Sequence, residues 1–105
     1  MIKKEEVKYI EELASFAMHD HISYPNNAET WMTITVVLEQ LLMENYAEEI
    51  SNGTPAQNFF SVQCGLGRTM TAEDMLNKDL IVTMMVTVDK PGNFVEIVLR
   101  QVQAS

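Results

Sequence analysis

At 105 residues and 47% hydrophobic content, the sequence has material for one domain with one modest core, burying roughly two-thirds of the unfolded chain's surface. Fifteen acidic against seven basic residues leave a net charge of −8, which disfavours binding to a phosphate backbone or an anionic membrane, since either wants a basic face. A single cysteine excludes an internal disulfide and a cysteine-built zinc cluster, and no apolar run has the length of a membrane span or the form of a signal peptide.

The first predicted element is an amphipathic helix from Lys4 to about His21. Val7, Ile10, Leu13, Ala14, Ala17 and His21 recur at three- and four-residue spacings, and Phe16 widens the stripe. Glu5 and Glu6 suit the helix dipole in the first turn. Tyr24-Pro25-Asn26-Asn27 ends this helix, because the residue before Pro is pushed out of the α region. Asn26 is the expected N-cap of a second helix, with Glu29 closing a capping box.

That second helix is predicted from about Asn27 to Ile50, stopped by Ser51-Asn52-Gly53. Trp31, Ile34, Leu38, Leu41 and Asn45 trace one line; Val37, Leu42 and Tyr46 broaden it. Thr33 to Val37 is β-branched in run, yet the apolar stretch is too long for one strand and lacks turn residues. A helix apolar over so much of its circumference is deeply buried or needs a partner.

Three strand-like segments follow: Phe59–Cys64, Leu80–Val88 and Phe94–Arg100, rich in β-branched and aromatic residues. Asp89-Lys90-Pro91-Gly92-Asn93 joins the last two as a turn. Thr71 and Asp74 have capping-box spacing for a short helix through Leu76, between the first two strands. The predicted fold is α+β: two N-terminal helices packed on a small three-stranded antiparallel sheet. Neither face of the long strands is clearly polar, so the wet side of the sheet should be half apolar.

Little in this pattern points to chemistry. Gly65-Leu66-Gly67-Arg68-Thr69 has the small residues of a phosphate loop but lacks the Gly-Lys-Ser/Thr ending, and reads as a turn. Cys64 sits among apolar strand neighbours that raise a thiol pKa, and no base or orienting acid is implied beside it. His19 and His21 are two apart on a helix and point away from each other, so they read as favourable charges at a helix C-terminus rather than metal ligands. The expectation is therefore no catalytic residue, no cofactor and no metal. Of the eight methionines, Met32, Met43, Met84 and Met85 read mostly as core filling. Arg68 and Arg100, isolated cations in an acidic chain, are each expected to seek a carboxylate.

Phe59-Phe60-x-Val62-Gln63-Cys64-Gly65, then Thr69-Met70-Thr71-x-x-Asp74, a long apolar strand, Lys90-Pro91-x-x-Phe94 and a closing Arg100-Gln101 together resemble the C-terminal domain of contractile tail sheath proteins. Those sheaths belong to phage tails, R-type pyocins and type VI secretion systems. The resemblance extends back through Pro25-Asn26-Asn27 and Trp31 to the first helix. It implies an inner sheath domain beside the tail tube, whose sheet accepts strands from arms of neighbouring subunits. Departures are Pro91-Gly92-Asn93-Phe94, where the family carries Pro-Ala-Glu-Phe, and Lys78-Asp79, where a Gly commonly precedes the middle strand. Sheath subunits are also much longer.

Taken with the resemblance, the residues suggest a structural protein that associates by β-strand addition with copies of itself, with sheath subunits or with the tube. Arg68, Phe94, Glu96, Arg100 and Gln101 are the candidate interaction residues. The second reading is a stand-alone binding module or regulator, a cap or inhibitor with the same fold. The expected location is the bacterial cytoplasm, or the virion tail for a phage-encoded chain.

Overall fold

The strand Asp79–Thr87 (β2) is the axis of the fold in the computed structural model, which describes residues 1–105. Phe60–Gln63 (β1) pairs with one side of it and Phe94–Val102 (β3) with the other, both antiparallel, giving the order β1-β2-β3. Phe60 lies opposite Val86 and Gln63 opposite Thr83; Asp79 lies opposite Val102 and Thr87 opposite Phe94. β3 runs two residues past the predicted end at Arg100, because Gln101 and Val102 still find partners in Leu80 and Asp79.

Side chains alternate across a strand. Leu80, Val82, Met84 and Val86 of β2, with Ile97 and Leu99 of β3 and Phe60 of β1, form the inner face and are buried. The helices Val7–His19 (α1) and Ala28–Asn45 (α2) cover this face, α1 over β3 and α2 over β1. Ile10, Ala14 and Met18 of α1, and Ile34, Leu38 and Leu42 of α2, complete the core. Val7 and Ala17 flank it, whereas Leu13 and Phe16 face solvent, Phe16 at 75% exposure. Widening the predicted stripe to Phe16 was therefore wrong: Met18, one turn later on the same row as Ile10 and Ala14, takes the buried place.

The helix boundaries differ from the sequence reading in three ways. The first helix opens with a 3-10 turn at Lys4–Glu6 and closes at His19; the chain then makes tight turns to Tyr24, with His21 N–H on the Met18 carbonyl and Tyr24 N–H on that of His21. Asn27, not Asn26, caps α2, its side chain accepting from the Thr30 N–H at 3.1 Å. Asn26 is used otherwise. Its amide donates to the Asp79 carbonyl at 2.9 Å, and its Oδ1 accepts from the Trp31 indole N–H.

The third difference lies at Tyr46. The helix does not continue to Ile50: Tyr46 has φ −125° and ψ 19°, and a separate short helix, Ala47–Ser51 (α3), follows. The cause is tertiary. Phe59 spends its N–H on the Ala56 carbonyl, in the turn before β1, so it cannot return the bond that it accepts from Thr87. The Thr87 carbonyl is left without its strand partner, and the buried Tyr46 hydroxyl donates to it at 2.7 Å. The Tyr46 ring stacks near Phe59 and Phe60, with centroids 5.3 and 5.8 Å away. Placing that ring requires the backbone to leave the α region.

α2 is thus pinned to both ends of β2, through Asn26 and Trp31 at Asp79 and through Tyr46 at Thr87. The lengths agree: 18 helical residues span about 27 Å and nine strand residues about 30 Å. Both chain ends are fastened as well. The Met1 ammonium meets Glu49 at 2.8 Å, and Ile2, buried, bridges to Val88. Gln103 is buried, its amide donating to the carbonyls of His21 and Tyr24 at 2.8 Å each, and the Ala104 N–H reaches Ile22.

Between β1 and β2 the short helix Ala72–Leu76 (α4) carries the predicted capping box. The Thr71 hydroxyl accepts from the Asp74 N–H at 3.2 Å, and the Asp74 carboxylate accepts from the Thr71 N–H at 2.8 Å. These bonds, more than the nearby Arg100 charge, hold the Asp74 carboxyl below its ordinary pKa. Thr71→Ala is expected to destabilise by about 1 kcal/mol, the ordinary worth of a lost N-cap. The lowered folded-state pKa of Asp74 means that its share is present at neutral pH and lost as pH falls through that pKa. Urea midpoints for Thr71→Ala and wild type should accordingly converge in acid; a gap that widens there would contradict this account.

Candidate interaction surface

The outer face of the sheet is the one the helices leave uncovered. By alternation it presents Ser61 and Gln63 of β1, Ile81, Thr83 and Met85 of β2, and Phe94, Glu96, Val98, Arg100 and Val102 of β3. Part of it is covered. Ile81 is buried, its carbonyl accepting from the Thr69 hydroxyl of the segment that leads into α4. β3 is bare: Phe94 is 45%, Val98 53% and Val102 59% exposed. This is the half-apolar face expected from the sequence, concentrated on one edge strand.

The backbone of that strand is bare too. Val88 N–H bonds to the Asn93 carbonyl at 2.8 Å, which marks the first hydrogen-bonded pair of the β2–β3 hairpin. Alternation then directs the N–H and C=O of Val95, Ile97, Leu99 and Gln101 to β2. Those of Phe94, Glu96, Val98, Arg100 and Val102 point to the free side, where no other strand lies. Bare apolar stripe and bare main-chain edge therefore belong to the same five residues.

The predicted site residues divide between this surface and other tasks. Phe94, Glu96 and Arg100 come together on the outer face of β3. Gln101 lies on the inner face, half-buried, with its amide donating to the Met18 carbonyl at 3.0 Å and to Gln103 Oε1 at 2.7 Å. Its role is to hold β3 to the end of α1. Arg68 is exposed in the turn after β1, away from β3 in the chain order. Neither arginine forms an ion pair: the one salt bridge is that of Met1 with Glu49, so the expected carboxylate partners of Arg68 and Arg100 are corrected to none within 4 Å. Exposure removes the need, since water solvates both guanidinium groups. Val98 and Val102 are surface residues that the sequence reading missed, although the period-2 alternation from Phe94 already set them beside it.

The Gly65–Thr69 segment is a closed turn. Gly67 sits at φ +82°, and the N–H groups of Arg68, Thr69 and Met70 all converge on the Gly65 carbonyl at 3.0–3.2 Å. Gly67 N–H goes to the Met70 carbonyl. A phosphate would find these donors engaged. Burial pushes the Cys64 thiol up to about 12, far from thiolate at neutral pH. His21 is turned to the Ala17 carbonyl at 3.3 Å, and no group of three or more His, Cys, Asp or Glu side chains is placed to hold a metal ion. No helix is long and apolar enough to cross a membrane.

A second apolar feature is the shallow groove of about 400 Å³ between α2 and β1, lined by Val36, Met43, Phe60 and Val62 among others. No protein-family model matches the chain, and the search of curated proteins found no match.

Proposed function

We propose that this chain is a structural or assembly protein that works by β-strand addition at the free edge of β3, in the manner of the inner domain of a contractile tail sheath. One observation supports this reading above the others: the five residues with unpaired N–H and C=O groups also carry the exposed apolar stripe. An incoming strand would satisfy the main chain through hydrogen bonds and cover Phe94, Val98 and Val102 in one step. Proteins normally cover or charge so long an edge, and β3 carries nine residues of it. In this reading the tail tube lies against the exposed side of the domain, and the chain acts without catalysis or cofactor.

The second reading, a stand-alone module that receives a strand from a single partner, draws on the C-terminal residues. Gln103 and Ala104 are docked on the turns that follow α1. The chain as folded offers an edge to be filled rather than a terminal strand to lend.

Co-sedimentation with assembled tail tubes from the same genome tests the first reading, with amide exchange as the second readout. Pelleting with tubes, together with slowed exchange at Phe94, Glu96, Val98, Arg100 and Val102, is the expected result. A chain that stays in the supernatant, with those amides unchanged, refutes the sheath reading.

A further inference from the structure

The geometry points to a specific occupant for the β3 edge: we infer that a second copy of this chain pairs with it, antiparallel and two-fold symmetric, with Val98 opposite Val98 of the second copy. The inference rests on the preceding reading of that edge as a pairing edge, and adds the partner and the register.

The strand is self-complementary in this register alone. Setting Val98 against its copy places Glu96 opposite Arg100 and Phe94 opposite Val102, on both sides of the axis. All of these residues direct N–H and C=O to the free side, so every facing pair is a hydrogen-bonded one. Five pairs exchanging two bonds each give about ten main-chain bonds. The side chains meet on the outer face: Phe94 against Val102 at each end, two Glu96–Arg100 ion pairs, and Val98 at the centre. On the inner face Ile97 would stand opposite Leu99, continuing the core across the seam.

Other registers lose this. Sliding one strand by two residues sets Glu96 or Arg100 opposite an apolar side chain, and sliding it by four sets glutamate on glutamate or arginine on arginine. Directly opposed like charges destabilise a strand pair, while opposite charges stabilise it. Neither charge has an ion-pair partner within 4 Å in its own chain, whose one salt bridge lies at Met1 and Glu49; Asp74 acts on Arg100 only from beyond that distance. The two copies together would form one continuous six-stranded sheet of order β1-β2-β3-β3-β2-β1, with no long edge left open.

Sedimentation of the full chain at 1–100 μM in physiological salt, with four variants, tests this. Wild type is expected to dimerise. Glu96→Arg faces a guanidinium with a guanidinium twice, and Arg100→Glu faces two carboxylates twice; each should weaken the dimer about tenfold or more. The double variant Glu96→Arg/Arg100→Glu exchanges the charges and should restore wild-type affinity. Val98→Pro removes an N–H directed to the free side, so β2 keeps its bonds and the fold survives by circular dichroism while dimerisation is lost. A strictly monomeric wild type overturns the second copy as occupant, and the tube assay still decides the edge reading. A dimer that persists in Val98→Pro overturns the edge itself. Loss in Val98→Pro with no response to charge reversal, or no rescue in the double variant, overturns the register and leaves the edge standing.

Discussion

Tyr46→Ala is expected to cost about 3–5 kcal/mol, a large part of the 5–15 kcal/mol that holds a domain of this size together. The side chain is fully buried, so truncation opens a cavity beside Phe59 and Phe60 as well as losing apolar contact. It also orphans the Thr87 carbonyl, which has no strand partner because Phe59 turns its N–H to Ala56. Tyr46→Phe separates the two effects. It keeps the rings and removes the hydroxyl, and should cost about 1–3 kcal/mol, the worth of one buried acceptor left unsatisfied. Urea denaturation of both variants measures the difference. A Tyr46→Ala midpoint within 1 kcal/mol of wild type would mean that α2 is not anchored there.

High pH should unfold the protein well before its neutral stability would suggest. Burial pushes Cys64 from 9.0 to about 12, and Tyr46 from 10.0 to about 12 against the lowering effect of its bond to the Thr87 carbonyl. Both pKa values are raised in the folded state, so their stabilising share is complete below the unfolded values. It is lost as pH climbs, from about 9 for the thiol and from about 10 for the phenol, up to about 12. Each group contributes a slope of at most about 1.4 kcal/mol per pH unit across its window. The thiol's share is the smaller, since Cys64 is half-buried and water screens it. Cys64→Ala should flatten the curve between pH 9 and 10, and Tyr46→Phe above pH 10. Wild-type stability that stays level from pH 8.5 to 11 would show that neither group is desolvated in solution.

Local signals in this chain were legible where the deciding partner lies within a few residues. The Thr71–Asp74 box, the turn at Asp89–Asn93 and the alternation of β2 are of that kind, and each formed where its residues predicted. Asn26 against Asn27 shows the limit. Both are good caps, and the choice falls to Asn27 because the Asp79 carbonyl, 53 positions away, claims Asn26. The break at Tyr46 depends on a carbonyl left over from β1–β2 pairing, which helical periodicity cannot contain. The same holds for Gln103, a polar residue near the terminus that is buried because the turns after α1 offer the His21 and Tyr24 carbonyls to its amide. Of the candidate surface, Phe94, Glu96 and Arg100 were readable from strand alternation. Arg68 entered as an isolated cation in an acidic chain and Gln101 through the closing Arg100-Gln101 of the resemblance, and neither signal says which face of a sheet a side chain takes.

Trp31 is the chain's one tryptophan, and its indole N–H is held by Asn26, whose amide in turn grips the first residue of β2. The protein therefore carries its indole, which can be excited apart from the tyrosines, at one joint only. Lifting α2 off that end of the sheet would release the indole to water and shift its emission to the red, while fraying at the Tyr46 end would leave the signal unchanged. Followed beside circular dichroism, this emission distinguishes which end of the helix lets go first, with no label attached.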